Sequence, residues 1–499
     1  MATRGRAKKR KWPEAELDAG STPPASEKAK AGESPDLISN LDVDVLRRIV
    51  SLLPTKDGAR TQSLSTRWRD LFRSAPLNLG VELRREDEPA PSSLVSRILA
   101  DHRAPCRRLS LTWYGYKSGF VSPLLSHWLQ SPALNGLAEF DLWQNRKENG
   151  KEYWRVPRED PYILPLSVLR FSPTLRILSI KCTGYMIRFP SMATLAGDVH
   201  FPHLKQLTFK GVIISEGDLH GVLVGCPVLQ SLVLSELDGV RAIHINSSTL
   251  QRLGVCTDLR DAPEEMLQEV IIEDAPLLEK LLLSGTDEEL SIRVICAPKL
   301  DFLGSLPEGF SKTKLETTFF QRTSVASLMS VVRTVKVLIL RMSPPSADDA
   351  IDFVTFFPCL EKLYAVLYRD VASKRARHHF PLDYIECFEL HLKKIVLINY
   401  HGTKRDVDFA RFCLLNARVL QHMEFATRLP SHRKKCDPKW IDDQLTKLQL
   451  DNIASQGIQI NFAGDSYFGD EIHIGDIHNL AAADPFDRSL CRCHTVDFL

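Results

Sequence analysis

The tightest grouping of chemically capable side chains is Cys491-Arg492-Cys493-His494, three soft metal ligands within four residues. A closed zinc site needs four such ligands, and no fourth is evident, so no metal site is expected. His378 and His379 follow Lys374, Arg375 and Arg377 and read as part of a solvated basic loop. The chain has no Gly-x-x-x-x-Gly-Lys phosphate loop, no Gly-x-Ser-x-Gly elbow and no His-Glu-x-x-His zinc helix. Cys226, Cys296 and Cys359 stand beside or near prolines that open apolar runs, where buried structural thiols are expected. The expectation is a chain without catalytic residues or cofactors, and not an enzyme.

What remains is the chemistry of recognition. Arg4, Arg6, Lys8, Lys9, Arg10 and Lys11 put six cations in eight positions. Lys8, Lys9, Arg10 and Lys11 are the core of a cluster that suits the acidic groove of a nuclear import receptor. A solvated basic tail is the other reading, and a location in nucleus and/or cytoplasm is expected. Further on, Val45, Leu46, Ile49, Leu52 and Leu53 fall at i, i+1, i+4, i+7 and i+8, an apolar stripe on one helix. Pro54 stops that helix and Thr55 is placed to cap the next. Trp68, Leu71 and Phe72 then mark a third short helix opening after Ser65. Roughly forty residues are too few to bury a core alone, so the unit is expected to lean on a partner.

This segment resembles an F-box, in the form found in plant F-box proteins with leucine repeats. The resemblance rests on Leu41, the Val45 to Leu53 stripe, the break at Leu53-Pro54-Thr55-Lys56-Asp57, and Leu64-Ser65-Thr66-Arg67-Trp68-Arg69. Asp42 stands where the family usually has proline; aspartate also suits a helix start, as cap and as dipole partner. The resemblance implies binding to a Skp-type adaptor and through it a cullin and its RING partner. Leu41, Val45, Leu46, Ile49, Leu53, Leu64 and Trp68 are the expected adaptor contacts, with Leu52 and Leu71 free to face the module's own interior. A helical hairpin packed on the following domain is the plainer alternative.

A chain of 499 residues leaves room for several domains and a large core. Hydrophobic content of 44%, charged content of 25% and a net charge of +2 are ordinary for a globular chain and give no pull toward nucleic acid. Neither an apolar leader nor a bilayer-length apolar run is found. Eleven cysteines without a Cys-x-x-Cys pair fit free thiols in a reducing compartment. The Asn246-Ser247-Ser248 sequon then carries no meaning.

From about residue 94 a pattern x-x-Leu-x-x-Leu-x-Leu recurs. Clear copies begin at Pro173, Pro202, Pro227, Ser248 and Pro276, stepping by 29, 25, 21 and 28 residues, and weaker ones near Ala104, Asn135, Pro298, Arg333, Pro358, Leu390 and Arg418. The period is that of a leucine-rich solenoid. In each copy the last two leucines alternate with other residues and predict a short strand with one buried face. Stacked copies make a parallel sheet, with return segments such as the helix around Leu219, Val222, Leu223 and Val224. Leu178, Leu207, Leu232, Leu253 and Leu281 should form one buried row. The family's Asn or Cys after the last leucine is missing, and intervals such as 135 to 173 carry insertions, so an irregular solenoid is expected. The polar insertion Trp143 to Pro161 is a candidate binding loop or simply a mobile one.

Ile385 to Gly402 and Asp408 to Phe425 resemble the FBD domain found at the end of many plant F-box proteins. They predict a strand, a glycine turn, a helix near Asp406 to Asn416 and a second strand, with another strand at Ile458, Ile460 and Phe462. These units should cap the solenoid's open end.

The reading is an α/β protein: a three-helix F-box followed by an irregular leucine-rich-repeat solenoid with a parallel sheet. Its parts are a disordered basic tail (1–35), F-box (36–80), solenoid (94–380), FBD-like terminal repeats (381–465) and a C-terminal tail (466–499), with Arg84 to Ser93 as the linker leaving the F-box. The expected role is target recognition in a Skp–cullin–F-box ubiquitin ligase, with an unidentified target protein and neither nucleic acid nor membrane as partner. The alternative is a leucine-repeat scaffold or inhibitor without a ligase role.

Overall fold

The computed structural model describes residues 37–38, 40–83, 89–114, 118–145, 161–183, 186–192, 199–257, 267–284, 290–306, 333–342, 354–367, 385–427, 436–464 and 477–478. Two compact units are present, Met1–Leu46 and Arg47–Leu499. The basic tail, the heart of the Trp143 to Pro161 insertion, the basic loop at His378 and the Cys491 to His494 cluster lie outside the described residues.

Three helices open the described chain: α1 (Val43–Leu52), α2 (Thr55–Thr61) and α3 (Thr66–Ser74). Asp42 starts the first as expected. Its carboxylate accepts from the Asp44 N–H at 2.8 Å, and its carbonyl accepts the first helical bond, from Leu46 N–H at 3.0 Å. An aspartate cap therefore does the work that proline would do by fixing φ.

The strands follow as β1 (Leu77–Leu83), β2 (Cys106–Tyr114), β3 (Glu139–Asn145), the two-residue β4 (Tyr162–Ile163), β5 (Ile177–Cys182), the two-residue β6 (Ile187–Arg188), β7 (Gln206–Ile213) and β8 (Ser231–Asp238). Next come β9 (Ala242–Asn246), β10 (Arg252–Cys256), β11 (Glu269–Asp274), β12 (Lys280–Ser284), β13 (Ser291–Val294) and β14 (Phe302–Leu306). The last five are β15 (Val337–Met342), β16 (Lys362–Leu367), β17 (Lys394–Ile398), β18 (His422–Thr427) and β19 (Gln459–Gly464). Fourteen of them run in one parallel path, β1-β2-β3-β5-β7-β8-β10-β12-β14-β15-β16-β17-β18-β19. Every clear and weak copy of the leucine pattern has become a strand of this path.

Register confirms the leucine row. Leu178 faces Leu207, Leu207 faces Leu232, Leu232 faces Leu253 and Leu253 faces Leu281. The row extends back to Leu79 and Leu109 and forward through Leu303, Leu338 and Leu363. Each of these residues is buried, because a period-2 alternation sends the same positions of every strand into one core.

Return segments pack on that core. They include α4 (Pro89–Asp101), α5 (Ser118–Leu129) and α6 (Glu216–Val224), the last capped by Ser215, whose hydroxyl accepts from Asp218 N–H at 3.1 Å. Three returns are strands instead. β9, β11 and β13 form a separate parallel ribbon with Ile243 against Val270 and Val270 against Ile292. The signal was present as period-2 alternation in Ala242-Ile-His-Ile-Asn246 and Ser291-Ile-Arg-Val294.

Two boundaries differ from the sequence reading. The sheet starts at Leu77, three residues after α3 ends, rather than near residue 94. Of the stretch Arg84 to Ser93, residues 84–88 lie outside the described residues and Pro89 to Ser93 open α4, which packs on β1. At the other end, α7 (Glu386–Leu390), α8 (Lys404–Asn416) and α9 (Pro438–Leu448) accompany the last strands. Thr403 and Asp406 close a capping box on α8. Tyr400, Phe425, Trp440 and Phe462 stack into an aromatic cluster at the β18–β19 end.

Candidate functional site

Two surfaces answer to the sequence expectations: the helical module and the sheet face opposite the leucine row. Among the described residues, eight of the fourteen exposed large apolar side chains lie between Leu37 and Leu64. Water normally drives such side chains inward, so their density in this stretch sets it apart from the rest of the described chain. Leu41 (38% exposed), Val45 (46%), Ile49 (39%) and Leu64 (66%) are open to solvent, as an adaptor contact requires. Of the four exposed apolar positions on α1, 45, 49 and 52 share one face of the helix, and Val43 at its first turn lies on the other side.

Leu46 and Trp68 are placed otherwise, at 0% and 8% exposed, and Leu53 is half-buried. The stripe is two adjacent stripes: Leu46 and Val50 point inward, Val45, Ile49 and Leu52 outward. Leu52, expected to be free to face inward, is 59% exposed, whereas Leu71 is buried. Consecutive apolar pairs such as Val45-Leu46 and Leu52-Leu53 lie 100° apart on a helix, and sequence alone does not say which member faces in.

The module is bound to the repeats through polar groups that sequence did not announce. Asn78 on β1 donates its amide to the Ser51 and Leu53 carbonyls at 2.7 and 3.1 Å, satisfying the C-terminal end of α1. Thr55, expected to cap α2, donates its hydroxyl instead to the Asn78 carbonyl at 2.5 Å, and Pro54 occupies the cap position. Gly58 lets α2 approach Phe72, since an added Cβ would stand 3.2 Å from that ring.

The second sheet face changes character along its length. Asp141, Ser179 and Thr208 stand in register at its start, with Asp141 and Lys181 paired at 3.1 Å. From Val233 onward an apolar row runs along it between charged residues such as Arg252, Lys280 and Lys394, and Val233, Leu282, Phe302, Ile339, Tyr364 and Val396 form a second buried cluster. Ile477 belongs to that cluster at 0% exposed. Beside it, the His478 ring bridges two strands: Nε2 lies 2.6 Å from Thr208 Oγ1 and Nδ1 lies 2.7 Å from Ser231 Oγ. Burial, then the charges of Lys181 and Arg252, lower its pKa to about 4, so the ring is neutral, with one donor and one acceptor for the two hydroxyls. Residues 477 and 478, which lie in the stretch read from sequence as a tail, thus pack against the sheet face through their side chains. No local pattern marks them, because their partners are 247 and 270 residues away.

Nothing in these surfaces resembles a reaction centre. The described cysteines are free thiols. Burial raises Cys106, Cys226 and Cys387 to about 12, which keeps them protonated and unreactive. Cys296 and Cys359 are half-buried rather than buried as expected. Among the described residues no group of three or more His, Cys, Asp or Glu could hold a metal ion, and no helix is long and apolar enough to cross a membrane.

A short helical module with an outward apolar face, continuous with a parallel leucine-repeat sheet, defines a docking-and-recognition class of protein. Family models give the class its particulars: one for the F-box domain matches residues 38–79, one described as FBD-associated F-box protein At5g56370, LRR repeats, matches 125–365, and one for FBD matches 381–425. The chain thus carries segments that match an F-box, leucine-rich repeats and an FBD domain, and it is similar to F-box proteins built from these parts. Its relatives are plant proteins. The FBD-associated F-box protein At4g10400 of Arabidopsis thaliana is 27% identical over 86% of this chain and 100% of the relative. The F-box/LRR-repeat protein At4g14103 of the same plant is 30% identical over 51% of this chain and 63% of its own length. The putative F-box protein At3g58860, also from Arabidopsis thaliana, is 28% identical over 45% of this chain and 48% of its own length. The match therefore spans less than two thirds of the latter two relatives. The repeats of the structure run further than the matched segment in both directions, from β1 to β19.

Proposed function

We propose that the chain is the target-recognition subunit of a Skp–cullin–F-box ubiquitin ligase. The observation that carries this reading is the run of exposed apolar side chains from Leu37 to Leu64, within the segment that matches the F-box. Leu41, Val45, Ile49 and Leu64, with Leu52 added, contact the Skp-type adaptor; Leu46 and Trp68 hold the module in shape. The repeats hold a target protein beside the conjugating machinery, and the chain's contribution is proximity, which raises the effective concentration of the target lysine. The covalent steps belong to other subunits.

Capture of purified adaptor by the full chain tests this. Exposed apolar anchors at an interface centre commonly cost about 2 kcal/mol or more on truncation, about thirtyfold in Kd. Ile49→Ala with Leu64→Ala is expected to lose adaptor capture while the melting temperature holds. Unchanged capture by the folded double variant would leave a leucine-repeat scaffold or inhibitor as the better description. We further propose residence in nucleus and/or cytoplasm, with Lys8, Lys9, Arg10 and Lys11 read by an import receptor. Their replacement by alanine is expected to lower the nuclear fraction of a tagged chain.

A further inference from the structure

The chain leaves its last strand, β19, at the edge of the sheet, yet Ile477 and His478 sit eight strand positions inward, over β7 and β8. They are not paired as a strand. Their hold is one aliphatic side chain in the apolar cluster and one imidazole between two hydroxyls. Thr208 and Ser231 are 7% and 0% exposed, and a buried hydroxyl needs a partner; the imidazole supplies it to both. A third hydroxyl on the same face of β8, Ser235 Oγ, is buried with no hydrogen-bond partner. The occupant thus satisfies the Thr208 and Ser231 hydroxyls and leaves Ser235, four residues further along the same face of β8, without a partner among the described residues.

We propose that the face over β7, β8 and β10 is a peptide-binding site for the target, and that Ile477–His478 is its built-in occupant, displaced by a target segment of the same chemistry. That chemistry is a bulky aliphatic residue followed by a neutral side chain with a donor and an acceptor, such as histidine, asparagine or glutamine. A target that also offers a polar group to Ser235 gains a bond that the internal segment does not make, which gives displacement a driving force. The inward face of a repeat array is where such proteins present extended binding surfaces.

The proposal rests on reading the repeats as the target-holding part, and two readouts keep the two apart. The full chain is titrated with a fluorescent peptide of residues 470–485. Ile477→Ala with His478→Ala vacates the face and is expected to bind the peptide at least tenfold more tightly than the unsubstituted chain. Adding Thr208→Val and Ser231→Ala is expected to abolish that binding. Equal binding to vacated and unsubstituted chains, or binding to neither, overturns the proposal. So does a double variant that no longer folds, since the segment would then be a fixed cover of the core. The single variant His478→Ala removes only the two hydrogen bonds and is expected to fold and to bind the peptide with intermediate affinity. Adaptor capture is read in parallel: its loss with peptide binding intact counts against the ligase reading alone.

Discussion

Two side chains show how far single residues govern this molecule. His478 has its pKa depressed from the ordinary 6.5 to about 4, by burial and by Lys181 and Arg252, of which Lys181 is itself paired with Asp141. The docked form therefore resists protonation. Docking of the segment is complete above about pH 6.5, weakens about tenfold per pH unit as the undocked imidazole takes up a proton, and levels off below about pH 4. Hydrogen exchange of the 470–485 peptide at pH 7.5 and pH 5 checks this, with faster exchange, after correction for the intrinsic rate, expected at pH 5. Leu232 sits in the middle of the buried row, at 0% exposed between Leu207 and Leu253. Leu232→Asp places a charge where nothing pairs with it. The expected loss exceeds about 4 kcal/mol, beyond ordinary substitutions, and appears as protease sensitivity across the neighbouring repeats.

Among the elements, the join between α1 and β1 decides how the helical module is held. Asn78 donates to both the Ser51 and Leu53 carbonyls, so Asn78→Ala strips both partners and is expected to cost about 1–3 kcal/mol in a urea melt. Asn78→Asp is expected to be worse than alanine, since a carboxylate cannot donate and its charge opposes the two carbonyl oxygens. At the far end, Gly402 turns the chain into α8 with φ +69°, and a Cβ there would run into the Gln444 amide, the group that accepts from Tyr400 OH at 3.1 Å. Gly402→Ala carries both the left-handed backbone penalty and this collision. About 1–2 kcal/mol from the backbone alone, plus the displaced Gln444, should lower the melting temperature measurably.

At the scale of the whole molecule, the helical module is continuous with the repeats. Leu77, Leu79, Val81 and Leu83 of β1 are all buried in the sheet core, and β1 pairs with β2 along its full length. A fragment ending at residue 84 would expose that apolar edge. It is expected to aggregate or lose helicity, seen by gel filtration and circular dichroism, where a fragment released at a flexible linker would stay folded. Stability passes between nearest neighbours in such an array, so damage near β1 reaches the helical module and damage at Leu232 reaches the repeats on either side of β8.

The main-path strands from β2 onward, the buried leucine row, the α8 helix and the Asp42 cap were legible in the sequence, because each rests on a local period or a local cap. Repeats convert such local patterns directly into fold: position in the repeat is position in the core. Which member of Val45-Leu46 or Leu52-Leu53 faces out was decided only by packing, since neighbouring helix positions differ by too small an angle for composition to choose. The fusion of the F-box to β1 was hidden because Asn78 and Thr55 are unremarkable polar residues until the fold brings them within 2.5 Å. The docking of His478 was hidden for the same reason on a larger scale. Its partners are 247 and 270 residues away, and no period along the chain connects groups that only the stacking of strands places side by side.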